Sequence, residues 1–84
     1  MFKITLSSLS QKFLKKCGKE LYERIINKIE NLSHNPFPPD CKRIAGRAEK
    51  VFRVRVGDYR ILYVVYDDKK EILISDIDKR SRVY

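Results

Sequence analysis

The chain has 84 residues, of which 43% are apolar and 36% charged, and its formal net charge is +8. This length suits one small domain with a modest core, which we take as residues 1–84. No apolar run approaches the roughly 20 residues of a membrane-spanning helix, and the mixed N-terminus is unlike a signal peptide, so we expect a cytoplasmic protein. The basic excess favours anionic partners such as nucleic acid or an acidic protein.

The first half of the chain predicts a strand followed by a helical hairpin. The strand is expected over about Phe2–Leu6. Ser8 is the predicted N-cap of a first helix, with Gln11 reaching back to it in a capping box, and Gly18 is placed to end that helix. A second helix, with its apolar residues on one face, is expected over about Lys19–His34.

The segment Asn35–Asp40 contains three prolines and predicts a stiff, extended connector. Cys17 and Cys41 lack the spacing and histidine partners of a metal site, and we expect two free thiols. His34, the only histidine, has no neighbour that could orient it for catalysis or metal binding. The first half of the chain therefore contains no candidate catalytic or metal-binding residues, and we expect its role to be structural.

The second half predicts strands. A short strand is expected at Lys42–Ala45, then a hairpin, a turn at Asp67–Lys70 and a last strand at Glu71–Ile77. The predicted order is β-α-α-β-β-β. This order indicates an α+β two-layer sandwich, in which an antiparallel sheet of four to five strands carries the helical hairpin on its apolar face.

The hairpin closes at Gly57-Asp58, a dipeptide typical of two-residue turns. Counting outward from a two-residue turn places Arg53, Arg55 and Arg60 on one face of the sheet, which the helices leave uncovered. Directly opposed like charges destabilise a sheet, so an acidic group should offset them. Asp76 and Asp78 are expected to pair with neighbouring Lys or Arg rather than to bind a metal. The simpler alternative is a solvated face that uses arginine for solubility.

Seven of the eight arginines lie between Arg43 and Arg82. Arginine grips phosphate or carboxylate with two parallel hydrogen bonds, and guanidinium groups stabilise the charge of a phosphoryl transition state. The chain has no Ser/His/Asp or Cys/His set, no Gly-rich phosphate loop and no carboxylate cluster with metal-ligand spacing. These residues predict an RNA- or phosphate-binding surface, one that could cleave by positioning and charge stabilisation. Besides the sheet arginines, we assign RNA binding to Lys42, Arg43, Arg47, Lys79 and Arg82.

These features resemble the RelE/ParE superfamily of bacterial and archaeal toxins, and RelE-type members most. The resemblance follows the whole chain in order and is carried by Asn35–Pro38, Lys42–Gly46, Phe52–Tyr63 and Lys79–Tyr84. The arginine-rich hairpin and the Arg-x-x-Val-Tyr ending, at this separation, form a specific pair.

The resemblance implies a ribosome-dependent mRNA endonuclease that cuts the message in the ribosomal A site, uses no metal or other cofactor and is held inactive by a small antitoxin. In such enzymes, basic residues activate the ribose 2′-hydroxyl, neutralise the scissile phosphate and assist the leaving oxygen. By position, Arg53 and Arg55 match the basic pair on the first hairpin strand, and Arg60 matches the arginine after the hairpin tyrosine. Arg80 matches the arginine four residues before a final tyrosine, and Tyr84 matches that base-stacking tyrosine.

Two other functions stay open at this point. One is a non-enzymatic, ParE-like gyrase inhibitor on the same fold, and the other is a relic that only binds RNA or an antitoxin. An acidic, RelB-like antitoxin is expected in each case, because a largely disordered acidic partner could fold around this basic domain and neutralise the arginine face. A toxin–antitoxin heterotetramer is one assembly that this would allow.

Overall fold

The fold is a five-stranded sheet with a helical hairpin on one face, and the computed structural model describes it over residues 1–44 and 50–79. The elements are β1 (Lys3–Leu6), α1 (Ser8–Lys16), α2 (Lys19–His34), β2 (Lys42–Arg43), β3 (Val51–Val56), β4 (Tyr59–Tyr66) and β5 (Glu71–Lys79). The predicted two-layer α+β architecture is confirmed. Neither helix is long and apolar enough to cross a bilayer, among the residues that the structure describes.

The strand order is β1-β5-β4-β3-β2, and one pairing differs from the prediction. β1 runs parallel to β5, with Lys3 opposite Glu71 and Leu6 opposite Ile74, while the other neighbouring strands are antiparallel. The sheet is therefore mixed rather than wholly antiparallel. A parallel neighbour needs a long crossover connection, and here the helices and the rest of the sheet lie between the two strands.

The start of α1 differs from the prediction by one residue. Ser7, not Ser8, is the N-cap, and its hydroxyl oxygen accepts a hydrogen bond from the Ser10 amide at 3.1 Å. Gln11 donates to the Leu6 carbonyl at 3.0 Å instead of closing a capping box. Helix α2 has the predicted bounds, and Gly18 precedes it with a φ of 91°, a backbone conformation that favours glycine.

The main core lies between the helices and the inner face of the sheet. Helix α2 buries Ile25, Ile29 and Leu32, and α1 contributes Leu14. The sheet side of this core consists of Val54, Val56, Ile61, Tyr63, Ile72, Ile74 and Ile77. These strand residues are the inward half of the alternating pattern, so burial of this face fixes the register of the hairpin.

The hairpin register is confirmed at every predicted pair, from Val56 opposite Tyr59 to Phe52 opposite Tyr63. Gly57 has a φ of 60° at the first turn position, where a side chain would be strained. A Cβ on Gly57 would also lie 2.9 Å from Nη2 of Arg24, because that guanidinium of α2 rests against the turn. The positive φ is the main reason for glycine at this turn, since the flexible Arg24 side chain could move away from a Cβ.

Strand β5 contains a bulge at Ser75. Tyr63 of β4 pairs with Ile74 and Leu62 pairs with Asp76, so Ser75 has no opposite residue. Hydroxyls from the start of α1 hold the bulge: Ser7 donates to the Ser75 carbonyl at 2.8 Å, and buried Ser10 donates to the Ile74 carbonyl at 2.9 Å. The extra residue reverses the alternation of β5 beyond this point.

The proline-containing connector is fixed to the core by Tyr63. The buried Tyr63 hydroxyl donates to the Pro36 carbonyl at 2.7 Å. Burial raises the pKa of Tyr63 well above its ordinary value, so this hydroxyl stays a neutral donor. Cys41, at the end of the connector, and Cys17 are free thiols, as predicted.

The change Tyr63→Phe removes the donor and leaves the Pro36 carbonyl unsatisfied. We expect the free energy of unfolding to fall by about 1–2 kcal/mol, measured by urea denaturation followed by circular dichroism. Tyr66→Phe is the control, because the Tyr66 hydroxyl makes no hydrogen bond to a described residue, and its change should stay within about 0.5 kcal/mol. Equal losses in the two variants would contradict this role for the Pro36 bond.

Candidate nucleic-acid interface

Three arginines of the hairpin lie on the sheet face opposite the helices, as the register predicted. Arg55 of β3 lies directly opposite Arg60 of β4, and Arg53 lies opposite Leu62. Arg55 is exposed, whereas Arg53 and Arg60 are partly buried. Because adjacent strands are about 4.8 Å apart, the three guanidinium groups can reach one phosphodiester segment.

The expected acidic partner is Asp78. Its carboxylate accepts two hydrogen bonds from Arg60, from Nε at 3.0 Å and from Nη2 at 3.1 Å. The two side chains are 23% and 25% exposed, so solvent only partly screens this two-bond pair. Asp76 instead accepts a hydrogen bond from the backbone amide of Ile77 at 2.8 Å. Asp78 therefore offsets the repulsion between Arg55 and Arg60 across the sheet.

The helices leave the arginine face uncovered, as predicted, and this face also carries apolar side chains. Val51, Leu62 and Val64 are only 5%, 7% and 6% exposed, although they point away from the helices. Ile44 and Tyr66 pack against them in a second, smaller apolar cluster. The arginines thus lie beside an apolar cluster, and the face is not purely charged and solvated.

Lys42 and Arg43 are separated by the sheet. Lys42 pairs with Arg53, and Arg43 pairs with Phe52. Directly opposed residues share a face, so Lys42 joins the arginine face while Arg43 lies on the helix side. Lys79, opposite Tyr59, is also on the helix side, since the Tyr59 ring contacts Phe13 of α1 at 5.6 Å. Of the residues assigned to RNA binding, only Lys42 is brought beside the sheet arginines within the described ranges.

Four predicted site residues lie outside the described residues: Arg47, Arg80, Arg82 and Tyr84. Sequence reasoning missed Arg24, whose guanidinium reaches the hairpin turn at Gly57 from the helix side. No pattern in the sequence marks this contact, because Arg24 is one of several polar residues on the exposed side of α2.

The described part of the arginine face can bind and orient a phosphodiester. Guanidinium groups stay protonated at any ordinary pH, so they supply positive charge and hydrogen bonds rather than a base. Within residues 1–44 and 50–79, no group of three His, Cys, Asp or Glu side chains is placed to hold a metal ion. A cavity of about 280 Å3 lies elsewhere on the sheet, lined by Thr5, Tyr66, Lys69, Glu71, Ile72 and Leu73. The described part of the candidate site thus consists of Lys42, Arg53, Arg55 and Arg60 on the sheet face that the helices leave uncovered.

Residues 4–84 match the family model described as ParE toxin of type II toxin-antitoxin system, parDE. The chain belongs to this toxin family. The matched region contains every strand of the sheet except the first residue of β1, so it includes the arginine face and the bulge.

RelE proteins are among the relatives of this ParE-family chain. RelE1 of Methanocaldococcus jannaschii is 42% identical over 59 residues, which is 67% of this chain and 64% of that protein. The chain is similar in structure to the archaeal RelE in its complex with RelB from Pyrococcus horikoshii, at 27% identity, 98% coverage of each chain and a TM-score of 0.84. The isolated E. coli RelE toxin shares the fold at 18% identity, with 99% of this chain and 88% of that chain covered and a TM-score of 0.82.

The Arg60–Asp78 pair can be measured by a double-mutant cycle in urea denaturation with Arg60→Gln and Asp78→Asn. We expect a coupling free energy of about 1 kcal/mol, since the pair has two bonds and is mostly shielded from solvent. The matched control is Lys28 with Asp40, a 2.9 Å pair whose carboxylate is 51% exposed. Its coupling should stay below about 0.5 kcal/mol. An Arg60–Asp78 coupling no larger than the control would show that Asp78 does not offset the arginine charge.

Proposed function

We propose that this protein is the toxin of a type II toxin–antitoxin system and that it acts in the cytoplasm as a ribosome-dependent mRNA endonuclease. The observation that carries the proposal is the placement of Arg53, Arg55 and Arg60 on one open face of adjacent strands. Membership of a toxin family and 42% identity to RelE1 support it.

In the proposed reaction a ribose 2′-oxygen bonds to the adjacent phosphorus and the bond from that phosphorus to the 5′-oxygen of the next nucleotide breaks. The 2′-hydroxyl proton passes to water, since the arginines stay protonated. Arg53 and Arg55 would bind the scissile phosphate and neutralise the negative charge that builds on it in the transition state. Arg60, oriented by Asp78, would bind the same phosphate or the one beside it. Arg80 would assist the leaving oxygen and Tyr84 would stack on the substrate base. The basic groups need no metal to supply this charge.

The apolar cluster of Val51, Leu62 and Val64 supports this use of the arginines. A cation bordered by apolar groups meets less competing water, so its bond to phosphate is stronger than on a fully solvated face. Lys42, on the same face as Arg53, extends the positive surface to the β2 edge, where it would hold RNA or the ribosome. Specific cutting then depends on how the ribosome presents the message to this face.

An acidic antitoxin is the proposed protein partner. The chain carries a net charge of +8, and Arg53, Arg55 and Arg60 lie on a sheet face that the helices leave uncovered, where an acidic segment could bind. The Pyrococcus horikoshii relative was crystallised as a RelE–RelB complex, and the RelBE2 toxin of Mycobacterium tuberculosis, 21% identical with a TM-score of 0.81, as a toxin–antitoxin complex. Binding of such a partner would compete with RNA for the arginine face.

The cleavage step is tested with purified protein in a reconstituted translation reaction, with cuts in the message mapped by primer extension. We expect cuts in the ribosomal A site, and about 100-fold slower cutting by Arg55→Gln, because the variant loses a transition-state charge. Lys15→Gln, an exposed lysine of α1 on the other side of the sheet, is the matched control and should cut at the wild-type rate. Inhibition of translation without cuts in the message would disprove the nuclease.

The variant Arg80→Ala tests the resemblance separately from the sheet arginines. We expect it to abolish growth arrest on induction while the circular dichroism spectrum and unfolding midpoint stay those of wild type, since Arg80 is proposed to act on the leaving oxygen. A folded Arg80→Ala protein that still arrests growth would remove Arg80 from the mechanism.

A gyrase inhibitor is the second candidate, and the observation that favours it is the ParE description of the matching family. Supercoiling by gyrase in the presence of the protein, together with a DNA-damage reporter, separates the two functions. Inhibited supercoiling with an intact message would select the ParE-type target. RNA or antitoxin binding with no effect on growth would instead identify an inactive relic.

A further inference from the structure

The connector presents an exposed phenylalanine that neither the core nor the arginine face uses. Phe37 is 46% exposed. Its ring meets the Phe52 ring at 5.1 Å and 68°, and Phe52 in turn lies 5.9 Å from the ring of fully buried Tyr63. Phe37 is thus anchored through aromatic contacts to the core, while nearly half of the residue stays exposed to solvent.

The backbone around Phe37 is held in place by four contacts. The Phe37 amide donates to Oδ1 of Asn35 at 3.1 Å, and the Pro36 carbonyl accepts from Tyr63 at 2.7 Å. The Cys41 amide donates to the Pro38 carbonyl at 3.0 Å, and Lys28 of α2 pairs with Asp40 at 2.9 Å. The Lys28 hydrogen bond also holds the pKa of Asp40 below its ordinary value. An exposed ring on so constrained a segment loses little conformational entropy when it binds.

An exposed cation lies on the same side of the sheet. Arg43 is the cross-strand partner of Phe52, the residue that Phe37 packs against. Arg43 takes part in neither ion pair of the described residues. The preceding residue, Lys42, faces the arginine side. Strand β2 therefore places one cation on each face of the sheet. An RNA strand that contacts both cations would pass around the sheet edge from the arginine face to Phe37.

We propose that Phe37 and Arg43 form a second RNA contact at the β2 edge, where an unpaired base stacks on the Phe37 ring and Arg43 binds a neighbouring phosphate. The proposal rests on the function proposed above and adds a site outside the arginine face. A single flat ring suits a base, because every base has a π-face. Phe37 lies between Pro36 and Pro38 and packs on Phe52, the cross-strand partner of the exposed cation Arg43. A ring beside a cation fits a base and its phosphate better than a purely apolar protein anchor.

The test is fluorescence anisotropy of the full chain with a labelled, unstructured single-stranded RNA of about 12 nucleotides, in the absence of ribosomes. Phe37→Leu keeps the residue apolar but removes the π-face, and it should weaken binding about tenfold, whereas Phe37→Tyr should restore it. Arg43→Gln should weaken binding and lower the slope of log K against log salt by about 1. Tyr22→Leu is the matched control, an exposed aromatic of α2 at 43% exposure that should bind RNA as wild type does.

A second RNA with abasic sites separates stacking from charge: wild type should bind it about as weakly as Phe37→Leu binds the intact RNA. Wild-type binding by Phe37→Leu, an equal loss in Tyr22→Leu, or no RNA binding by the wild-type chain would each overturn the proposal. A loss of affinity for an acidic antitoxin peptide with RNA binding unchanged would also overturn it, since Phe37 would then be a protein contact. Arg43 is exposed, so its variant tests the site even if Phe37→Leu unfolds. Message cutting on ribosomes is scored separately, so failure of the nuclease and failure of this site give different results.

Discussion

The one-residue bulge at Ser75 is the constraint on which the arrangement of the arginine face depends. Before it, Ile72 and Ile74 point to the core; beyond it, Ile77 points to the core and Asp78 points to Arg60. If Ser75 were an ordinary paired strand residue instead of a bulge, regular alternation would turn Asp78 toward the helices and the arginines would lack their carboxylate. The cost of interrupting the ladder is offset by hydrogen bonds from Ser7 and Ser10 and by the Asp76 side chain, which accepts the Ile77 amide.

Sequence reasoning succeeded where local chemistry determines geometry. Gly57-Asp58 set the turn, and the turn set the register and the shared face of Arg53, Arg55 and Arg60. Sequence reasoning failed where a contact between residues far apart in the chain determines the structure. The parallel pairing of β1 depends on which edge of the sheet is free, and the N-cap moved to Ser7 because that hydroxyl also reaches the Ser75 carbonyl. One feature of the sequence could have predicted the bulge: the alternation of isoleucines at every second residue breaks between Ile74 and Ile77.

The two faces of the sheet have different roles in this small protein. The inner face carries the main core and, through Tyr63, holds the connector that presents Phe37. The outer face combines cations with a small apolar cluster around Leu62, so its charges have fewer competing waters than on an ordinary polar surface. Fold alone is shared by toxins with different targets, and the choice between message and gyrase therefore depends on these exposed side chains.

The parallel pairing of β1 with β5 has a consequence for the order in which the protein is made. Lys3 finds its partner only in Glu71, after almost the whole sheet has been synthesised, so β1 stays an unpaired edge until then. Strand β5 also carries Asp78, which pairs with Arg60 on the outer face, and Ile77, which packs in the core on the inner face. Both contacts therefore form only when β5 is in place. The sheet is therefore complete only after β5 has been made, and until then both β1 and the outer edge of β4 lack their partner strand.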